Sequence, residues 1–377
     1  MESVLTHARL ILDDTLIEGT LVLRDGVIAA VDDGRSSLPG AVDCEGDYLS
    51  PGLIDLHTDA MEGHFVPRPK VFWPDARAAA LAHDGQVVAS GITTVFDAIC
   101  AGGFDQAKAE RRTLFTLMLD AVEDGAALFR ADHRIHLRCE MTDPDLMALA
   151  TPALARPKVG LASLMDHTPG ARQWRNVDSL RAFLLGIGKA ADEAEEEIAS
   201  RAARGRAAVA ANFTPLAALL RERDIVRASH DDTTPEHVDI ARHAGCSVSE
   251  FPTTLVAARA ARDAGLATIG GAPNVVRGGS HSNGVAMKEL AAAGLLDALA
   301  SDYVPASLLQ AAVRLHLRQG MDLPGALALV TRAPARIAGL KDRGRLAPGL
   351  RADVTRFRIV GDTPVVRQVL VAGNRVY

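Results

Sequence analysis

Residues 51–65 read PGLIDLHTDAMEGHF, and this stretch decides how the rest of the chain is read. The turn at Pro51 and Gly52 opens a run through Leu53, Ile54 and Leu56 that ends in His57, Thr58 and Asp59, where a buried strand should give way to solvent. Alternation along a strand turns His57 and Asp59 to the same side, so that both can grip one metal ion. A strand that merely ends in polar residues is the commoner explanation of such a run taken alone. The pattern further along has to separate the two.

Beyond this run, short apolar stretches alternate with Ala-rich helical ones, the signature of βα units and a parallel sheet. The candidate strands are GLIDLHTD, GITTVFDA, RIHLRCE, VGLASLMDH, DIVRASHDD, CSVSEFP, LATIGGAPN and LDALASDY. They number eight, the count of a (β/α)8 TIM-like barrel. Among the helical stretches, ADEAEEEIASRAARG begins acidic and ends basic, as the helix dipole favours. Its charge run reads as a solvated face. The two ends of the chain differ from this middle. Residues 1–50 carry β-like bursts around the turn Arg24 to Gly26, and the last stretch, with a turn at Ala372 to Asn374, has the same character. The expected organisation is an α/β protein in which residues 51–343 form the barrel, while residues 1–50 and 344–377 together form a small discontinuous β-sandwich.

In such a barrel the site is built where the strands stop. His57 and Asp59 end the first candidate strand, Glu140 the third, His167 the fourth and His230 the fifth, and Asp302 lies at the end of the last. One such residue is unremarkable, since an Asp caps helices and a His can be a hydrogen-bonded core residue. Six in one topological position point to a metal centre. Imidazole and carboxylate together suit zinc, manganese, iron or nickel, and Glu140 is a candidate to bridge two divalent ions. One or two zinc ions are the expected cofactor. A centre with open positions brings the pKa of water towards neutrality, so hydrolysis is the natural chemistry, with Asp302 as the base that orients the attacking water. A purely structural site would favour a closed, cysteine-rich tetrahedron.

The loops suggest the ligand. Arg68 and Lys70 lie in the first βα loop, Arg172 follows His167, and Arg277, Ser280 and His281 sit on a Gly-rich turn. Guanidinium forks match phosphate oxygens, and Gly-rich backbone amides can cradle an anion, so a polyphosphate or phosphonate ligand fits. Each basic residue alone is more often a surface charge.

Composition excludes other classes. The net charge of −6 and a pI near 6.1 give no basic field for nucleic acid. No stretch approaches the length of a membrane span, and the N-terminus does not resemble a secretion signal. Cys44, Cys100, Cys139 and Cys246 are scattered without a disulfide-like framework, which suits a reducing, cytoplasmic compartment. A homodimer is the expected assembly, C2 pairs being the commonest.

The strings GLIDLHTD, PRPKVFWP, HDGQVVASGITTVFDA, HLRCE, SLMDHTPGARQ, ASHDD, EFPTT, GAPNVVRGGSHS and SDYVPASLL, in this order, resemble the PhnM family of the bacterial carbon-phosphorus lyase pathway, within the amidohydrolase superfamily. The closing GRLAPGLRADV resembles that superfamily's return into its sandwich domain. The resemblance implies a diphosphohydrolase that cleaves α-D-ribose 1-methylphosphonate 5-triphosphate to the 5-monophosphate and pyrophosphate. It implies metal ligands at His57, Asp59, Glu140, His167 and His230, a catalytic carboxylate at Asp302, and pathway neighbours of the carbon-phosphorus lyase system. PhnM relatives commonly follow His-Thr-Asp with an Asn and carry a Lys three residues later; this chain has Ala60 and Gly63. The competing readings are an amidase or deaminase, whose mark would be a single carboxylate-recognising Arg, and a non-catalytic metal-binding subunit, whose mark would be a lost ligand.

Overall fold

The structure, a computed structural model, describes residues 2–68, 71–103, 109–280 and 284–377. The first five strands are β1 (Glu2–Ile11), β2 (Leu16–Arg24), β3 (Val27–Asp33), β4 (Val42–Asp43) and β5 (Tyr48–Pro51). Eight more follow with helices between them: β6 (Leu53–Thr58), β7 (Ile92–Ala101), β8 (Asp132–Glu140), β9 (Val159–Met165), β10 (Val226–His230), β11 (Val248–Glu250), β12 (Ala267–Gly271) and β13 (Ala298–Ala300). The chain ends in β14 (Val354–Val360), β15 (Thr363–Val371) and β16 (Asn374–Arg375).

Strands β6 to β13 are parallel and lie side by side in sequence order, each falling on one of the eight candidate strands. The ring closes at the top, where Thr58 bridges Asp302. There the Asp302 amide donates to His57 O at 2.9 Å and the Asp59 amide to Asp302 O at 2.6 Å. At the opposite end the seam is filled by residues 329 and 330, whose carbonyls accept from Leu299 N and Ile54 N. Ile54, Leu56, Phe96, Leu161, Ala228, Val248, Ile269, Ala298 and Ala300 form one buried cluster, so seven of the eight strands contribute to a packed interior. Helices cover the outside, among them the long helix Ala191–Arg221 that contains the expected acidic-to-basic stretch.

The remaining strands make a second sheet in the order β16-β15-β14-β5-β1-β2-β3, with β4 beside β1. β5 from the N-terminal part pairs antiparallel with β14 from the C-terminal part, which joins the two chain ends. The sheet has its own core, including Leu5, Leu10, Leu21, Ile28, Leu49, Val354 and Leu370. Ile28 N donates to Leu350 O, and Ile28 O accepts from Gly349 N, so the β3 edge comes back against the segment that leads into β14. The sheet therefore folds over on itself in the sandwich manner.

Candidate active site

The residues that terminate the barrel strands converge at one mouth, where a cavity of about 230 Å³ is lined by His57, Arg138, His167, His230, Asp231, Phe251, Asp302 and Tyr303, with Ser280 and Asn274 among its further walls. Three non-glycine residues at strand ends here have left-handed backbone: Asp231 (φ 55°), Phe251 (φ 53°) and Asp302 (φ 57°). Such geometry is uncommon for side-chain-bearing residues and turns their side chains away from the direction the strand would give.

Glu250, fully buried at the end of β11, organises the centre. Its Oε1 accepts from His57 Nδ1 at 2.8 Å and its Oε2 from His230 Nδ1 at 2.7 Å. One carboxylate thus fixes both rings and leaves each Nε2 on the far side. His57 Nε2 is buried without a hydrogen-bond partner, 3.6 Å from Asp59 Oδ2. Burial works against a charge on His57, but Glu250 and Asp59 beside it outweigh burial and push its pKa up to about 10. Cation-seeking carboxylates around an unpartnered imidazole nitrogen are what a divalent ion would satisfy, so the residues fit a metal. His57, Asp59 and Asp302 bring donor atoms within 4.8 Å of one another, and so do His167, His230 and Asp231.

The other expected ligands are held by neighbours. Asp59 receives Arg138 Nη1 on both oxygens, at 2.7 and 2.9 Å, and this guanidinium holds its carboxyl well below the usual range against the effect of burial. Glu140 does not line the cavity: its Oε2 accepts from His167 Nδ1 and its Oε1 from Thr142 Oγ1 at 2.6 Å. Oε2 is therefore engaged in orienting His167, while Oε1 is held by Thr142. Burial raises the pKa of Asp302, with His57 acting in the opposite direction. Beneath the site His136 stays neutral, its pKa pushed down by burial to about 3. Its Nδ1 donates to Leu56 O at 3.1 Å and its Nε2 accepts from Ser163 Oγ at 3.0 Å.

The expected ligand-binding residues divide. Ser280 lines the cavity, and Arg277 reaches its rim, with Nη1 3.5 Å from the Tyr303 hydroxyl. Arg68 is exposed on the loop after β6 and does not line the cavity. Arg172 is a correction: it is buried behind His230, donating to His230 O at 2.8 Å and to Asp232 Oδ1 at 2.7 Å. The acidic residue two places after His230 captures its Nη1, and Arg172 does not line the cavity. Lys70 and His281 lie outside the described residues.

Sequence reasoning missed Arg138, Asp231 and Glu250. Glu250 and Asp231 obey the strand-end rule that found the others, and Arg138 lies two residues before Glu140, on the same face of β8.

The amidohydrolase family profile matches residues 259–377. The α-D-ribose 1-methylphosphonate 5-triphosphate diphosphatase of Escherichia coli K12 is 44% identical over 99% of this chain and 100% of its own length. Among solved structures, the 5-methylcytosine deaminase of Klebsiella pneumoniae liganded with phosphonocytosine superposes with a TM-score of 0.66 at 18% identity, covering 100% of this chain and 98% of its own. The N-acetylglucosamine-6-phosphate deacetylase of Pasteurella multocida does so with a TM-score of 0.64 at 12% identity, covering 100% of this chain and 99% of its own. The two solved structures share the fold, and their different chemistries do not carry over at such identities.

Proposed function

Since the chain belongs to the amidohydrolase family that contains the α-D-ribose 1-methylphosphonate 5-triphosphate diphosphatase of Escherichia coli, we propose that it catalyses the same reaction: water cleaves that triphosphate to the 5-phosphate and pyrophosphate. The full-length match at 44% identity carries this reading. The strand-end carboxylates and imidazoles around one cavity support it independently.

His57, Asp59, His167, His230 and Asp302 are the residues proposed to hold a divalent ion, with one or two zinc ions as the expected occupant. Such an ion would supply Lewis acidity, acidifying water and neutralising charge on phosphate oxygens. Asp302, fixed at the barrel seam by its backbone bonds to His57 and Asp59, orients the attacking water. It takes the proton at its carboxylate and passes it towards the leaving pyrophosphate. Glu250 keeps His57 and His230 in one orientation, which removes ring rotation from the reaction. Arg277, with Ser280 beside it, is proposed to meet the negative charge that develops on the leaving group. Four unpaired cysteines support a cytoplasmic location. Among the described residues no helix is long and apolar enough to cross a membrane. A homodimer and a place beside the carbon-phosphorus lyase enzymes complete the proposal.

Phosphorus NMR of the metal-loaded protein with ribose 1-methylphosphonate 5-triphosphate, beside a parallel tube of a nucleoside triphosphate, tests the reaction. Pyrophosphate is expected mainly in the first tube. A silent first tube with ion bound would reject the substrate, and a panel of amides and other polyphosphates would replace it.

A further inference from the structure

Asp231 stands beside the expected ligands and combines features that His57 and Asp302 show only singly. It is 3% exposed, its Oδ2 is buried without a hydrogen-bond partner, and its backbone is left-handed at φ 55°. An unpaired buried carboxylate oxygen is costly, and a strained backbone persists only where its surroundings over-determine it. The surroundings do so. The Asp231 amide donates to Glu250 O at 2.9 Å, and its carbonyl accepts from Thr233 Oγ1 at 3.1 Å. On one side the His230 carbonyl is held by Arg172. On the other, Asp232 is held by Arg172, Ser229 and Ser249. Every neighbour of Asp231 is tied down, and its own side chain is aimed into the cavity.

What it aims at is specific. Asp231 Oδ2 lies 3.5 Å from His230 Nε2 and 3.8 Å from His167 Nε2. The Nδ1 atoms of both rings are already taken, by Glu250 and Glu140 respectively. Donors about 2.0–2.2 Å from one tetrahedral ion stand roughly 3.3–3.6 Å apart; the separation to His230 falls in that range, the one to His167 is just beyond it, and the three residues bring donor atoms within 4.8 Å of one another. We infer that Asp231 is a ligand of the divalent ion, completing a face with His167 and His230, and that Glu140 serves that ion only by orienting His167. The arrangement gives each ligating imidazole a carboxylate behind it and gives the ion a carboxylate in front.

The inference rests on the reading that this centre holds a divalent ion, and not on the identity of the substrate. The test is therefore made with the metal alone. Chelator-stripped protein is titrated with Zn²⁺ by calorimetry, and bound zinc is counted after buffer exchange, for the wild type, Asp231→Asn and Glu140→Gln. Asn tolerates a left-handed backbone, and the atom it replaces has no protein partner, so the metal-free melting temperature should stay near that of the wild type. Asp231→Asn is expected to lose one zinc per chain, together with the zinc-induced rise in melting temperature. Glu140→Gln should keep that zinc with an affinity roughly 10–100-fold weaker. Should the Asn variant fail to fold, Asp231→Gly adopts the same φ without strain and is read in the same way. Wild-type stoichiometry and affinity in the Asp231 variant would overturn the assignment, as would loss of zinc from Glu140→Gln alone or a wild type that binds none. A wild type that binds zinc but leaves the triphosphate intact would reject the proposed reaction and leave this ligand assignment standing.

Discussion

His57, His230 and Glu250 at the barrel mouth, and His83, His133 and Asp97 on its flank, are the same arrangement in outline: two imidazoles on one buried carboxylate. In the first, Glu250 takes the Nδ1 of both rings, and a cavity receives what is left over. In the second, Asp97 takes His83 Nε2 at 2.7 Å and His133 Nδ1 at 2.8 Å, while the other side of His133 meets Asp84 Oδ1 at 3.3 Å. The Phe129 ring lies 4.2 Å from the His133 ring, and none of these residues lines the cavity. Burial opposes a charge on His133, but Asp97 and Asp84 outweigh it and push its pKa up to about 9. Asp97 is held down at about 2, its two histidines overcoming burial. The flank cluster is an internal ion pair that fastens helix Ala76–Ala89 to β7 and β8. The types of residue are alike in both. Both leave a buried ring nitrogen without a partner, His57 Nε2 in the first and His83 Nδ1 in the second, so what separates a site from a strut is whether the cavity adjoins the atom left over.

The two clusters should therefore fail differently. Asp302→Asn at the mouth is expected to lower kcat by about 10²–10⁴-fold, the range over which a positioned acid or base acts, with an unchanged thermal melt of the metal-free protein. Near-normal turnover of the triphosphate in that variant would remove Asp302 from the mechanism.

Asp97→Asn should do the reverse, leaving kcat of the folded fraction intact and destabilising the protein by about 3–5 kcal/mol, because it strands a buried imidazolium. The pH dependence gives a second check. The folded pKa of His133 is raised above its unfolded value, so its contribution is fully present below about pH 6.5 and is lost as pH rises through about 9. The wild type should thus lose stability over that interval in urea titrations, and the Asp97→Asn variant should lose less. Equal slopes for the two proteins would mean that His133 is not charged at neutral pH.

The same contrast explains how far the sequence could be read. Eight strands were legible because each apolar run stops abruptly at a polar residue or a glycine, and His57, His167, His230 and Asp302 were legible because they stand at those stops. Glu250 and Asp231 carry the same signal and could have been found with it. The fate of Arg172 could not, since its capture by Asp232 depends on how the loop after β9 folds across the end of β10. Nor could the engagement of Asp59 by Arg138, which needs the register of β6, β7 and β8. His83, Asp97 and His133 gave no warning either way: they come together through the packing of a helix on two strands, a contact no local pattern announces.

Arg277 belongs to neither cluster, and its replacement should have the smallest of these effects. It is solvent-facing at the rim, and its described contact is the long one to the Tyr303 hydroxyl. A guanidinium so placed acts on a triphosphate mainly through its charge, so Arg277→Ala is expected to lower kcat/KM about 10-fold, within the range for a charged hydrogen bond. Bound metal should be unchanged. Raised ionic strength should weaken the wild type towards the variant while affecting the variant less, because exposed charges are screened and the deeply buried donors around His57 are not. Metal loss from Arg277→Ala would instead tie this loop to the centre itself, and the division between a charged rim and a fixed ligand set would have to be redrawn.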